Sequence, residues 1–251
     1  MDFSVAARFA ILLVRPAMVV GLAPGIGGAF LPTPVKIGLV VLVALGLLPS
    51  VLVPAGAGSV PLTILIAREA AIGLSLAFVV RLLIAGAEFA GHLAGYQIGF
   101  SYGATIDPQS GVRNSMLATL YGSMATLAFL GINGHHMMLR ALTASYTGVP
   151  IGAGQVNESI LRSVSEMLGL VFIVGTRLAA PVIIVLLIVE LAIGLISRSS
   201  PSLSFMVIGY PIRIVVGLFL IAVLIPTIPG VTASLMESVI MMAGRAAMAF
   251  R

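Results

Sequence analysis

The amino-acid sequence predicts an all-α, polytopic membrane protein of about six long hydrophobic helices, with a glycine-rich stretch in the middle of the chain. Three observations lead there. The 251 residues are 60% hydrophobic and only 8% charged, with a mean hydropathy of +1.20, whereas a soluble fold needs far more charge to cover its surface. The apolar residues come in runs long enough to cross a hydrocarbon core, which takes about 20 residues each. The arginines stand one at a time between those runs, as helix ends do at a headgroup layer.

Each element follows in order. Met1 to Val14 carries one acid and one base before an apolar stretch. A cleaved signal peptide needs a more basic start and a polar mature chain, but the residues after Pro16 stay apolar, so this reads as a retained first helix. It runs from about Phe9 into a Gly/Pro-rich end at Gly21 to Pro34. The second segment spans Ile37 to about Val53 and is closed by Pro54 and an Ala-Gly-Ala-Gly run. The third covers Leu62 to Ala87 and holds Arg68, Glu69 and Arg81. Segment four is Met116 to Met138, segment five Leu168 to Ile196, and segment six Ile214 to about Ile228, stopped by Pro226 and Pro229. The glycine-rich stretch from Glu88 to Arg113 reads as a re-entrant or cavity-lining element, because irregular backbone at membrane depth needs cover from protein or water. The residues after Pro229 read as a short amphipathic tail.

Charge and cysteine usage narrow the class. Thirteen basic and eight acidic residues give a formal net charge of +5. Nucleic-acid binders cluster Lys and Arg on one face; here Lys36 is the only lysine and the arginines are dispersed, so no nucleic-acid partner is expected. Basic residues occur on nearly every connection and favour neither orientation in the membrane. With no cysteine, disulfides, thiolate metal sites and cysteine nucleophiles are excluded.

Ionisable groups inside apolar segments are costly and must meet a partner, a cavity or the interface. Arg81, Glu88 with His92 four residues on, Arg177 and Glu190 are the candidates for such contacts. Glu190 paired with Arg177, or with an arginine of another segment, makes either a helix-contact salt bridge or an ion relay. Adjacent Arg68 and Glu69 fall on different helix faces and are poor partners for each other. His135 and His136 point about 100° apart on a helix and lack a third ligand, so a polar turn or cap is preferred over a metal site. No phosphate-loop, nucleophile-elbow, zinc-protease or dinucleotide motif is present, and no cofactor is expected. Gly91, Gly95, Gly99 and Gly103 repeat a small-xxx-small spacing, a stripe that packs helix backbones closely.

Around this stripe the sequence resembles the FliR family of flagellar export-apparatus proteins. Gly95-Tyr96-Gln97-Ile98-Gly99-Phe100 and Asp107-Pro108-Gln109-Ser110-Gly111 carry the likeness first. Asn133-Gly134-His135-His136 with Arg140-Ala141-Leu142, Arg177-Leu178-Ala179-Ala180-Pro181, Glu190 through Arg198, then Pro201 and Gly209-Tyr210-Pro211-Ile212-Arg213 follow in the same order. The likeness covers nearly the whole chain. It implies one FliR-like export-gate membrane domain over residues 1–251, with helices arranged as tilted hairpins that need not all span lipid.

The resemblance further implies assembly with several copies each of FliP-like and FliQ-like subunits into a hetero-oligomeric gate. That gate belongs to the flagellar basal body in the bacterial inner membrane, next to FlhB-like and FlhA-like export proteins, and passes unfolded export substrates. The loop near Phe100 to Arg113, with Asp107, Pro108, Gln109, Ser110 and Gly111, would plug the closed pore. Arg198 and Arg213 bracket a proline-containing connection suited to partner subunits or headgroups. Such a component is not an enzyme. The competing readings are the equivalent subunit of a virulence type III secretion system and a secondary transporter with a relay through Glu190 and Arg81. The transporter reading calls for internal duplication, which the halves on either side of Glu88 do not show. A membrane enzyme using His135, His136 and a carboxylate lacks a ligand set.

Overall fold

The computed structural model describes residues 5–28, 31–49, 51, 61–100, 116–155, 158–199 and 205–250. Among them the secondary structure is α-helical without strands. The helices are α1 (Val5–Leu22), α2 (Thr33–Leu47), α3 (Leu62–Ile98), α4 (Met116–Gly131), α5 (Gly134–Gly148), α6 (Glu158–Ser199), α7 (Phe205–Leu224) and α8 (Thr227–Met248). Three of them are long and apolar enough to cross a membrane: α3, α6 over Arg162–Arg198, and α8. The bent pair α4–α5 makes a fourth, while Phe9–Leu22, Thr33–Leu47 and Gly209–Leu224 are shorter apolar helices.

α6 begins at Glu158, well before the expected Leu168, and α7 runs from Phe205 to Leu224 where Ile214 to about Ile228 is expected; three further elements differ in kind. First, the stretch after Ala87 is not irregular at its start, because α3 continues to Ile98 for 37 residues. Glycine in a helix interior costs about 1 kcal/mol against alanine, but here close packing on neighbouring backbones holds it helical. Second, segment four is two helices bent by 67°. Asn133 sits between them in the left-handed region, φ 58° and ψ 34°, which asparagine tolerates better than most residues. Third, the tail is a full helix. Pro229 does not stop it but lies in the first turn of α8, where a missing N–H breaks no helical bond.

The chain divides into two compact units. Unit 1 comprises Met1–Leu83, Phe129–Gly169 and Ala233–Arg251; unit 2 comprises Ile84–Ala128 and Leu170–Thr232.

In unit 1, α1 packs against α2, and Lys36 Nζ ties the start of α2 to the preceding turn by donating to the carbonyls of Gly27 (3.0 Å) and Gly28 (2.7 Å). Ile11, Leu65, Ile72, Leu83, Leu142 and Ile151 of this unit are fully buried. α1 comes so close to α3 that a Cβ on Gly73 would lie 2.9 Å from the Cα and carbonyl oxygen of Arg15. Arg15 and Glu69, both wholly buried, form an ion pair in this core.

In unit 2, Ala94 and Ile98 of α3, Leu117 of α4, Val182 and Leu186 of α6 and Ile221 of α7 form one apolar cluster. Two glycines set the crossing of α3 and α6. A Cβ on Gly86 would lie 2.8 Å from Val174 Cβ, and one on Gly175 would lie 2.4 Å from Phe89 Cδ1 and 3.2 Å from the Gly86 carbonyl oxygen. Gly91 meets α4 in the same way, 2.5 Å from the Leu117 carbonyl oxygen. Small residues at such points let backbones approach and gain dispersion contacts that longer side chains would block.

Candidate functional site

The apolar cluster of unit 2 ends in a polar group, and helical spacing explains why. Val182, Leu186 and Glu190 recur every four residues on α6, so the face that buries the first two also carries the third. Ile221, Gly217 and Arg213 do the same on α7, running the opposite way. On α3, Gln97 follows Ala94 by three residues. Gln97 Nε2 donates to Glu190 Oε1 at 3.1 Å, and the same carboxylate oxygen pairs with the Arg213 guanidinium. Neither charged side chain is fully covered, with 29% of Glu190 and 18% of Arg213 exposed.

Two residues beyond Gln97, Gly99 follows the last residue of α3, Ile98. The Gly99 and Phe100 N–H groups both donate to the Gly95 carbonyl, each at 3.0 Å, and Gly99 has φ +104°. A six-to-one bond of this kind closed by a positive-φ glycine is a Schellman cap. The Tyr210 hydroxyl of α7 donates to the Gly99 carbonyl at 3.2 Å. A Cβ on residue 99 would lie 2.8 Å from that hydroxyl oxygen.

The residues singled out in the sequence fall as follows. Gly91, Gly95 and Gly99 are buried on or just beyond α3, and Phe100 is exposed beyond its end. Gly103, Asp107, Pro108, Gln109, Ser110, Gly111 and Arg113 lie outside the described residues. Glu190 takes its arginine from another segment, namely Arg213, while Arg177 and Arg198 are exposed on α6 and Arg81 is exposed on α3. Glu88 is half-buried, with its Cγ 2.6 Å from where a Cβ on Gly122 would stand. His135 and His136 lie at the start of α5 with ring centroids 4.3 Å apart. Among the described residues no three His, Asp or Glu side chains gather as a metal site.

Sequence reasoning missed four contributors. Gln97 and Tyr210 stood inside quoted motifs without a role; a lone amide beside a lone carboxylate in apolar runs was the available signal. Gly175 looks like any glycine of a long apolar helix. Arg15 stands alone in the apolar run of α1, with no acidic residue at helical spacing to mark a partner. In unit 1, Arg15 donates through Nε and Nη2 to Glu69, through Nη1 to Ser145 Oγ (3.2 Å) and through Nη2 to the Val149 carbonyl (2.8 Å). Gly152 N–H completes the Glu69 shell at 3.1 Å. The guanidinium carbon lies 4.4 Å from the Tyr146 ring centroid, a cation–π distance.

Long apolar helices, glycine crossings and a polar tie at the end of a buried stripe define a polytopic, all-α membrane protein. Residues 6–239 match the family described as bacterial export proteins, family 1. The chain belongs to that family, in its FliR branch, and is a component of flagellar type III protein export. The flagellar biosynthetic protein FliR of Escherichia coli (strain K12) is 32% identical over 221 residues, covering 86% of this chain and 83% of that protein. FliR of Pectobacterium carotovorum subsp. carotovorum is 33% identical over 217 residues with the same coverage. The surface presentation of antigens protein SpaR of Shigella sonnei is 28% identical over 209 residues, 82% of this chain and 80% of that one.

Proposed function

We propose that the chain forms part of the closed pore of the flagellar export gate, through which unfolded flagellar subunits pass, and that it acts without chemistry of its own. Its partners in this reading are FliP-like and FliQ-like subunits in one hetero-oligomeric assembly. FlhB-like and FlhA-like proteins lie alongside, in the bacterial inner membrane at the flagellar basal body. The segment from Phe100 through Asp107, Pro108, Gln109, Ser110 and Gly111 to Arg113 occludes the pore, and the glycine stripe Gly91, Gly95, Gly99 and Gly103 seals helices around it.

One observation carries the reading. α3 and α6 have 37 and 42 residues, a rise of about 55 Å and about 63 Å along their axes, against a hydrocarbon core of about 30 Å. Along α6, Val164, Leu168, Phe172, Ile184, Leu191 and Ile196 are all exposed in the single chain, a stretch about 48 Å long. An apolar face on a helix about twice as long as a bilayer core is thick needs cover that lipid alone does not supply, and partner helices provide it.

Native mass spectrometry of a tagged copy, co-expressed with its genomic neighbours and purified in mild detergent, tests the reading. A mass equal to one copy with several FliP-like and FliQ-like subunits is the expected result. A stable monomer or small homo-oligomer with those neighbours present would overturn it.

A further inference from the structure

We propose that Tyr210, together with Gln97, Glu190 and Arg213, clamps the C-terminal cap of α3 and so fixes where the glycine-rich segment departs from the helix; the consequence for the pore rests on the gate reading above. Two separate ties reach the last turn of α3 from neighbouring helices. Tyr210 takes the Gly99 carbonyl, and Glu190 takes the Gln97 amide while paired with Arg213. Tyr210 and Arg213 are three residues apart, so one face of α7 supplies both. Pro211 lies between them and removes a helical N–H bond from that turn, which leaves the two ties to hold a stretch of α7 with weakened backbone bonding.

The glycine is required on two counts. Its φ of +104° disfavours a side chain, and the tyrosine hydroxyl occupies the space a Cβ would need. The packing of α3, α6 and α7 does not call for these polar groups, since the cluster of Ala94, Ile98, Leu117, Val182, Leu186 and Ile221 already joins the helices. Polar and charged side chains in such a stretch cost free energy. What they add is a defined end point: the cap closes its own N–H groups on Gly95, and its outward carbonyl has a fixed donor.

The chain contains no cysteine, so a single introduced thiol reports on the cap. Ile98→Cys places it at a fully buried position in the last turn of α3. Its rate of modification by a small maleimide, in the chain co-expressed and assembled with its neighbours, follows the population of locally opened cap. Tyr210→Phe removes only the hydroxyl and is expected to speed labelling about fivefold, the effect of losing one net hydrogen bond. Glu190→Gln, which removes a charged partner, is expected to speed it about tenfold. A thiol at fully buried Ala125 on α4, made by Ala125→Cys, should keep its rate. Unchanged labelling at residue 98, or equal acceleration at residue 125, overturns the clamp. If Ile98→Cys fails to assemble, Ala94→Cys, one turn earlier and equally buried, takes its place. Passive ion leak measured on the same variants separates the two readings: faster labelling without added leak upholds the clamp and counts against the gate.

Discussion

Arg15 and Glu69 form an ion pair with neither side chain exposed to solvent. Every nitrogen of the guanidinium is engaged, by Glu69, Ser145 Oγ or the Val149 carbonyl. Four of the five guanidinium N–H donors have an acceptor, and such bonding offsets the desolvation of a buried charge pair.

Removing one partner therefore costs more than removing both. Arg15→Leu or Glu69→Leu is expected to destabilise the chain by about 3–5 kcal/mol, since each leaves an uncompensated buried charge. The double variant Arg15→Leu/Glu69→Leu should recover most of that loss. Unfolding in detergent, followed by helical signal, measures all three; a double variant as unstable as the sum of the singles would contradict the pairing.

The glycine crossings should respond steeply to added volume. Gly175→Val is expected to cost about 1–3 kcal/mol by overpacking, because the space beside it is filled by Phe89 and the Gly86 carbonyl. Gly169 of α6 has nothing within 4 Å of a would-be Cβ, and Gly169→Ala should stabilise by up to about 1 kcal/mol through helix propensity. Thermal melts of both variants in one detergent decide it, and equal shifts would show that the crossing is loose.

The bend between α4 and α5 depends on the backbone of one residue. Asn133→Val is expected to destabilise by about 1–2 kcal/mol, as a β-branched side chain is poorly accommodated at φ 58°. Asn133→Gly should be close to neutral. Limited proteolysis at the bend, with cleavage rising only in the valine variant, is the expected pattern; rising cleavage in the glycine variant as well would assign the effect to the lost amide side chain.

Glu190 and Arg213 are partly exposed, so their coupling is expected to be modest. A double-mutant cycle with Glu190→Ala and Arg213→Ala should give about 1 kcal/mol of interaction, read from the unfolding of the isolated chain. A coupling near zero would mean that the pair contributes nothing without further subunits.

The helical class and most helix positions were legible in the sequence because lipid imposes a simple rule: long apolar runs must satisfy their own backbone. Legibility failed where one residue's conformation outweighs composition. Asn133-Gly134-His135-His136 suggests a polar turn, yet the sequence does not show that Asn133 bends the chain by 67° there; the glycines after Ala87 suggest irregularity, yet α3 stays helical through Ile98. Of the polar contacts, the expectation that Glu190 meets an arginine could be formed from cost alone, whereas its identity as Arg213 depends on how α6 and α7 pair. The Arg15–Glu69 pair was invisible because 54 positions separate the two residues and no periodicity links them.

Lys36, bound to the carbonyls of Gly27 and Gly28, is the only side-chain primary amine in 251 residues. Amine-acylating reagents therefore address one side chain among these 251 residues, in the first turn of α2. A mass shift on that lysine reports the integrity of this single turn, and the native chain already contains a site-specific chemical reporter.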